Sequence, residues 1–148
     1  MSWFNYFGLA IVAIVLLPNI IFAFKRKDGF SNSYHNKAAE ALEQTGRYGC
    51  MCFMIFNIPY TYFNFWFDHA LTVYLSVNGC LCLTYLICWI VFWNKQGKTK
   101  ALLLSIVPSA IFVFSSIMLL NIPLMVCALL FTINHILISC KNACSISN

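Results

Sequence analysis

The run ALLLSIVPSAIFVFSSIMLLNIPLMVCALLFTINHILIS, residues 101–139, holds no acid, lysine or arginine. As one helix its 39 residues would be about 58 Å long, roughly twice the hydrocarbon thickness of a bilayer. Asn121-Ile122-Pro123 interrupts it near the middle. Proline cannot continue the ladder of a helix, and the residue before it is pushed away from the α region. The run therefore reads as two crossings, 101–120 and 124–140. That division sets the number of spans and the side on which the chain ends.

Composition supports a membrane reading of the whole chain. Of 148 residues, 61% are hydrophobic and only 9% charged, against about 25% in an ordinary soluble domain. So few charges cannot solvate a globule of this size. The length suits a single domain, taken as 1–148. A net charge of +5 raises the question of nucleic acid, but the basic residues lie in short clusters between apolar runs, the pattern of membrane loops. The expected partner is lipid, not nucleic acid.

Outward from residues 101–139, the uncharged run 3–24 is the first span, 48–67 the second and 71–93 the third. The sequence thus predicts an all-α integral membrane protein with five transmembrane helices, at about 3–24, 48–67, 71–93, 101–120 and 124–140. Asp68-His69-Ala70 would be the tight turn of a hairpin between the second and third spans. Trp66, Trp89 and Trp93 are placed as interfacial anchors. Pro59, in a second Asn-Ile-Pro, is read as a kink within a continuous second span, freeing the Ile55 carbonyl.

Basic residues orient the bundle. With the N-terminus outside, Lys25, Arg26, Lys27, Lys37 and Arg47 share the first inner loop, Lys95, Lys98 and Lys100 the second, and Lys141 the inner tail. All nine basic residues then face the cytoplasm, whereas a four-span arrangement would send Lys141 outside. The expected location is the plasma membrane, with the C-terminus cytoplasmic.

The most polar segment, SNSYHNKAAEALEQTGRYGC at residues 31–50, carries helix signals. Ser31 or Ser33 could cap its first turn, and the acid-first pair Glu43 and Arg47 is spaced i,i+4. The reading is a short interfacial or cytoplasmic helix, about 33–45, or an inner extension of the second span. His35, Glu40, Glu43 and Arg47 are its partner-docking or interfacial candidates. His35 and Glu40 stand five apart, about 140° around a helix, so one helix cannot close a site from His35, Glu40 and Glu43. A tertiary contact from His135 could bring an imidazole to this segment.

Polar residues within the spans mark a second set of candidates. Asn57, Thr61 and Asn64 would share one face of the second helix, and Thr72 and Ser76 a face of the third. With His135 they are the candidates for a polar cavity, opened outward near Asn57, Asn64 and Pro59. The competing reading is packing, since small and hydroxyl residues join membrane helices. Ser105, Ser109, Phe112 and Ser116 form such a face on the fourth helix. An intramembrane histidine is a functional candidate by default, and His135 is the ionisable side chain well inside a span.

Cys50/Cys52 and Cys80/Cys82 are spaced i,i+2, about 200° apart on a helix, so neither pair chelates one ion readily. Cys140 and Cys144 at the inner end could ligate metal or carry palmitate. No phosphate loop, H-E-x-x-H or nucleophile elbow occurs, and no metal site or cofactor is assigned. The sequence points to a non-enzymatic, transport-related or accessory membrane subunit, working as a homo-oligomer or with other membrane subunits. The alternative is a membrane-embedded enzyme or redox or metal-binding protein using His135 with His35 or the inner cysteines.

Overall fold

A computed structural model describes residues 3–25, 36–63, 65–94 and 97–145, without the side chains of 143–145. It is all-helical among these residues: α1 (Tyr6–Lys25), α2 (Lys37–Ile55), α3 (Ala70–Val91), α4 (Lys98–Leu119) and α5 (Ile122–Ser145). Of these, α1, α3, α4 and α5 are long and apolar enough to cross a membrane. Around the bundle the neighbours run α1, α2, α5, α4, α3 and back to α1. Successive helices alternate in direction, so Lys25, Lys37, Lys98, Lys100 and Lys141 gather at one end, the basic end.

The outer surface is apolar where a soluble protein would be polar. Leu17 and Ile20 on α1, Leu83 and Ile90 on α3, and Leu129 and Ile133 on α5 are all exposed. Contiguous apolar surface of this extent is rare on soluble monomers but suits lipid, and is compatible with a membrane location.

The second expected span is where the structure departs from the sequence reading. The polar segment and the first part of that span form one helix, α2, and the described residues among 56–69 are irregular. Asn36 caps α2, its Oδ1 accepting from Ala38 N–H at 3.1 Å and Ala39 N–H at 3.3 Å; Ser31 and Ser33 lie outside the described residues. Lys37, Glu40, Glu43 and Arg47 occupy the first three turns, so α2 is not among the four helices apolar enough to span. Its uncharged helical part, from Tyr48 to Ile55, is about 12 Å long.

Pro59 accounts for the break. It denies the Ile55 carbonyl a helical donor, and the start of the chain supplies one instead. Asn5 N–H donates to Ile55 C=O at 2.8 Å, and Asn57 N–H to Trp3 C=O at 2.9 Å. With backbone partners waiting on the neighbouring segment, the helix ends where a kink was expected. The tight hairpin at 68–70 is replaced by a long link, in which exposed Tyr60 takes a left-handed φ of 67°.

The other Asn-Ile-Pro breaks the chain at the same end. Leu120 turns left-handed at φ 45°, and α5 begins at Ile122 with Pro123 in its first turn, where the missing N–H costs nothing. Ile122 N–H donates to Thr61 C=O at 3.1 Å, joining this break to the 56–69 link.

Two glycines on or beside its buried face bring α2 close to α5. Ala39, Glu43, Gly46, Cys50 and Met54 are the buried face of α2, spaced four, three, four and four. A Cβ on Gly46 would lie 2.6 Å from Phe131 N, and one on Gly49 would overlap Cys127 Sγ. Glycine here lets two backbones approach as membrane helices commonly do. Opposite this interface, Gly8 of α1 sits against the Met54 carbonyl, with no room for a side chain. The faces of α3 and α4 meet through Ser115 Oγ, which donates to Asn78 Oδ1 at 3.3 Å.

A charged cavity at the basic end

The close α2–α5 approach sets the register of the site. Phe53 of α2 faces Asn121, Gly49 faces Cys127 and Gly46 faces Phe131. One turn further toward the basic end, Glu43 meets His135.

Glu43 is only 4% exposed. A buried carboxylate is costly unless paired, and this one has two partners. Arg47, one turn along α2, donates from Nη2 to Glu43 Oε1. His135 Nδ1 of α5 lies 3.0 Å from the same oxygen. The imidazole is further held by stacking on Phe131, centroids 4.6 Å apart and planes at 20°.

These groups border a cavity of about 750 Å³, within the range of small-molecule sites. All five helices line it. From α1 come Asn19 and Phe22, from α3 Tyr85 and Trp89, and from α4 Lys100, Leu104 and Ser105. Asn19 Nδ2 donates to Tyr85 Oη at 2.8 Å, tying α1 to α3, while Ser105 Oγ donates to Ser139 Oγ, tying α4 to α5. Pro108, also in the wall, leaves the Leu104 carbonyl without its helical donor. The Lys100 ammonium lies over the rings of Phe22 at 4.7 Å and Trp89 at 5.6 Å, a cation–π arrangement at a residue 4% exposed.

The two sets of sequence candidates are rearranged by this geometry. Of the six cavity candidates, His135 lines the cavity. Asn57 is buried in the 56–69 link and Thr61 lies in the same link, because the helix that was to carry them ends at Ile55. Thr72 and Ser76 are exposed on α3, whose buried side is the Tyr74, Asn78 and Cys82 face. Asn64 lies outside the described residues. This cavity is therefore at the basic end. Of the docking candidates, Glu40, Glu43 and Arg47 border the cavity, and His35 lies outside the described residues.

Trp89 is also relocated. It is 3% exposed, packed on Phe22 with centroids 5.0 Å apart, and is a wall of the site where an interfacial anchor was expected. Lys100, Asn19, Tyr85 and Trp89 were not singled out as site residues from the sequence. A signal for Lys100 was present: it shares a helical stripe with Leu104, Val107 and Ile111, all buried. Asn19 likewise continues the Val15 and Phe22 stripe of α1.

Among the described residues no group of three or more His, Cys, Asp or Glu side chains is placed to hold a metal. Cys50 and Cys82 are buried while Cys52 and Cys80 are exposed, as i,i+2 spacing requires.

The fold and site together define a helical bundle, apolar outside, with a charged cavity opening inside one end. Comparisons of the chain with protein families, with characterised proteins and with solved structures each return no match.

Proposed function

We propose that this chain is a solute-binding membrane subunit, transport-related and working in an oligomer. It takes a small molecule into the cavity from the cytoplasmic side. The observation that carries the reading is Glu43, Arg47 and His135 held beside a cavity to which all five helices contribute. Ionisable groups are costly at such depth, and where they face a cavity they mark substrate pathways. The orientation rests on the basic end, which favours the cytoplasm. α2 then completes a fifth passage through the bundle, its polar turns sheathed by α5 and the cavity and its apolar turns reaching the outer end.

The plasma membrane is the proposed location. The oligomer is proposed because five helices in 148 residues leave little protein for a complete alternating-access path. Cross-linking in native membranes tests it, and recovery of monomer alone would remove it. For the cavity, the test is Trp89 fluorescence of purified protein in nanodiscs against a set of amphipathic small molecules. Saturable changes that vanish when Leu104→Phe fills the wall support the reading, and no response from any compound counts against it.

One observation favours a second reading, acid–base catalysis. A carboxylate on Nδ1 fixes an imidazole's tautomer and leaves Nε2 as the basic nitrogen. The Glu43–His135 pair has that form. Hydrolysis of p-nitrophenyl acyl esters by the wild type, abolished in His135→Ala, would favour an enzyme; an inert wild type would not.

A further inference from the structure

We infer that the ligand of this cavity, whose volume of about 750 Å³ is that of a drug-sized molecule's site, is a single-chain amphiphile with an anionic headgroup, a carboxylate or phosphate, bound on Arg47. The inference rests on the solute-cavity reading above and adds the chemical class.

The charges are not equally available to a ligand. The Glu43 side chain is 5% exposed, behind its two partners, whereas that of Arg47 is 36% exposed and lines the cavity. Arg47 uses Nη2 on Glu43. A guanidinium carries five N–H donors in a planar fork, so the pair still offers an edge that suits carboxylate or phosphate. Glu43 thereby orients the cation without cancelling its capacity to bind.

A cationic ligand fits less well. Its natural hosts would be the aromatic faces of Phe22 and Trp89, and Lys100 already lies over both. That ammonium also adds a second positive charge to the cavity's field. At the rim Glu40 contributes an acid, but Lys37 stands three residues before it on the same helix. The ligand's apolar part is called for by the apolar side of the wall, where Leu16, Met51, Leu104, Phe112 and Phe131 offer nothing to a polar group.

The test uses the full chain with Trp3→Phe, Trp66→Phe and Trp93→Phe, leaving Trp89 as the reporter, in nanodiscs of neutral phosphatidylcholine. A brominated long-chain carboxylate, and the alcohol and amine of the same chain, are titrated while Trp89 quenching is read. The carboxylate is expected to quench saturably, with a Kd about tenfold or more below those of the amine and alcohol. Arg47→Gln should abolish that preference, and Arg47→Lys should restore part of it. Equal quenching by all three compounds overturns the anionic assignment while leaving the cavity reading intact. No quenching by any of them, in a protein whose circular dichroism is unchanged, removes the cavity reading itself. In a separate arm the disc contains a brominated anionic phospholipid. Quenching by this two-chain lipid that the carboxylate does not displace would assign the site to a lipid headgroup and overturn the single-chain ligand.

Discussion

Asn121 joins two helix ends with one side chain. Its Nδ2 donates to the Phe53 carbonyl at 3.1 Å, near the end of α2, and its Oδ1 accepts Leu124 N–H at 3.0 Å, capping α5 where α4 has just finished. The residue is 1% exposed, so neither bond has water as a ready substitute. Asn121→Ala should destabilise the protein by about 2–3 kcal/mol, one cap and one buried hydrogen bond together. Reversible unfolding in mild detergent measures this, and a loss well below 1 kcal/mol would show that the junction is held by other contacts.

The α2–α5 interface predicts opposite outcomes for two glycines. Gly46→Ala forces a Cβ against the Phe131 backbone and should cost about 1–3 kcal/mol. Gly79 of α3 has open space where its Cβ would go, so Gly79→Ala should be neutral or stabilise by up to about 1 kcal/mol through helix propensity. Thermal denaturation of the two variants side by side checks the pair; equal effects would contradict the close approach.

Glu43 should be coupled to both its partners. Removing the carboxylate by Glu43→Ala leaves Arg47 and His135 facing an empty acceptor site, while His135→Ala leaves the Arg47 bond in place. The double variant should therefore be less damaged than the sum of the singles, with a coupling of about 1 kcal/mol. Strict additivity would mean the His135–Glu43 contact contributes nothing to stability.

The position of the helix break can be read by labelling. Cysteine introduced at Tyr60, which is 97% exposed, should react with an impermeant maleimide from the same side as cysteine at Ile122. Cysteine at Lys141 should react only from the other side. The native cysteines are first replaced by serine or alanine. If positions 60 and 141 report one side, the alternating arrangement of the helices is wrong.

The two Asn-Ile-Pro motifs show how far the sequence could be read. At residues 121–123 the uncharged run is too long for one crossing, so length alone required a break, and the structure has α5 starting at Ile122. At residues 57–59 length argued the other way, because breaking there left pieces too short to cross. What overrode it was the pairing of Ile55 and Asn57 with Asn5 and Trp3, about fifty residues away in sequence and invisible to a local pattern. The sequence also set apart Glu43 and Arg47 as a helical pair and His135 as an intramembrane ionisable group. It assigned the cavity candidates Asn57 and Thr61 to a helix that the fold does not continue, so they lie apart from the cavity at the basic end.

What the sequence determined by itself is the coarse plan. Too few charges for a soluble surface, long uncharged runs and clustered basic residues dictate apolar helices whose basic residues gather at one end, because burial of backbone polar groups in lipid permits little else. Only the tertiary structure decided that α2 is a half-polar helix and that Glu43 lies under the imidazole of His135. Its charged turns are accommodated because Gly46 and Gly49 let α5 come close and Arg47 and His135 pair the buried acid. No hydropathy pattern contains that compensation, since it comes from a helix some ninety residues further along the chain.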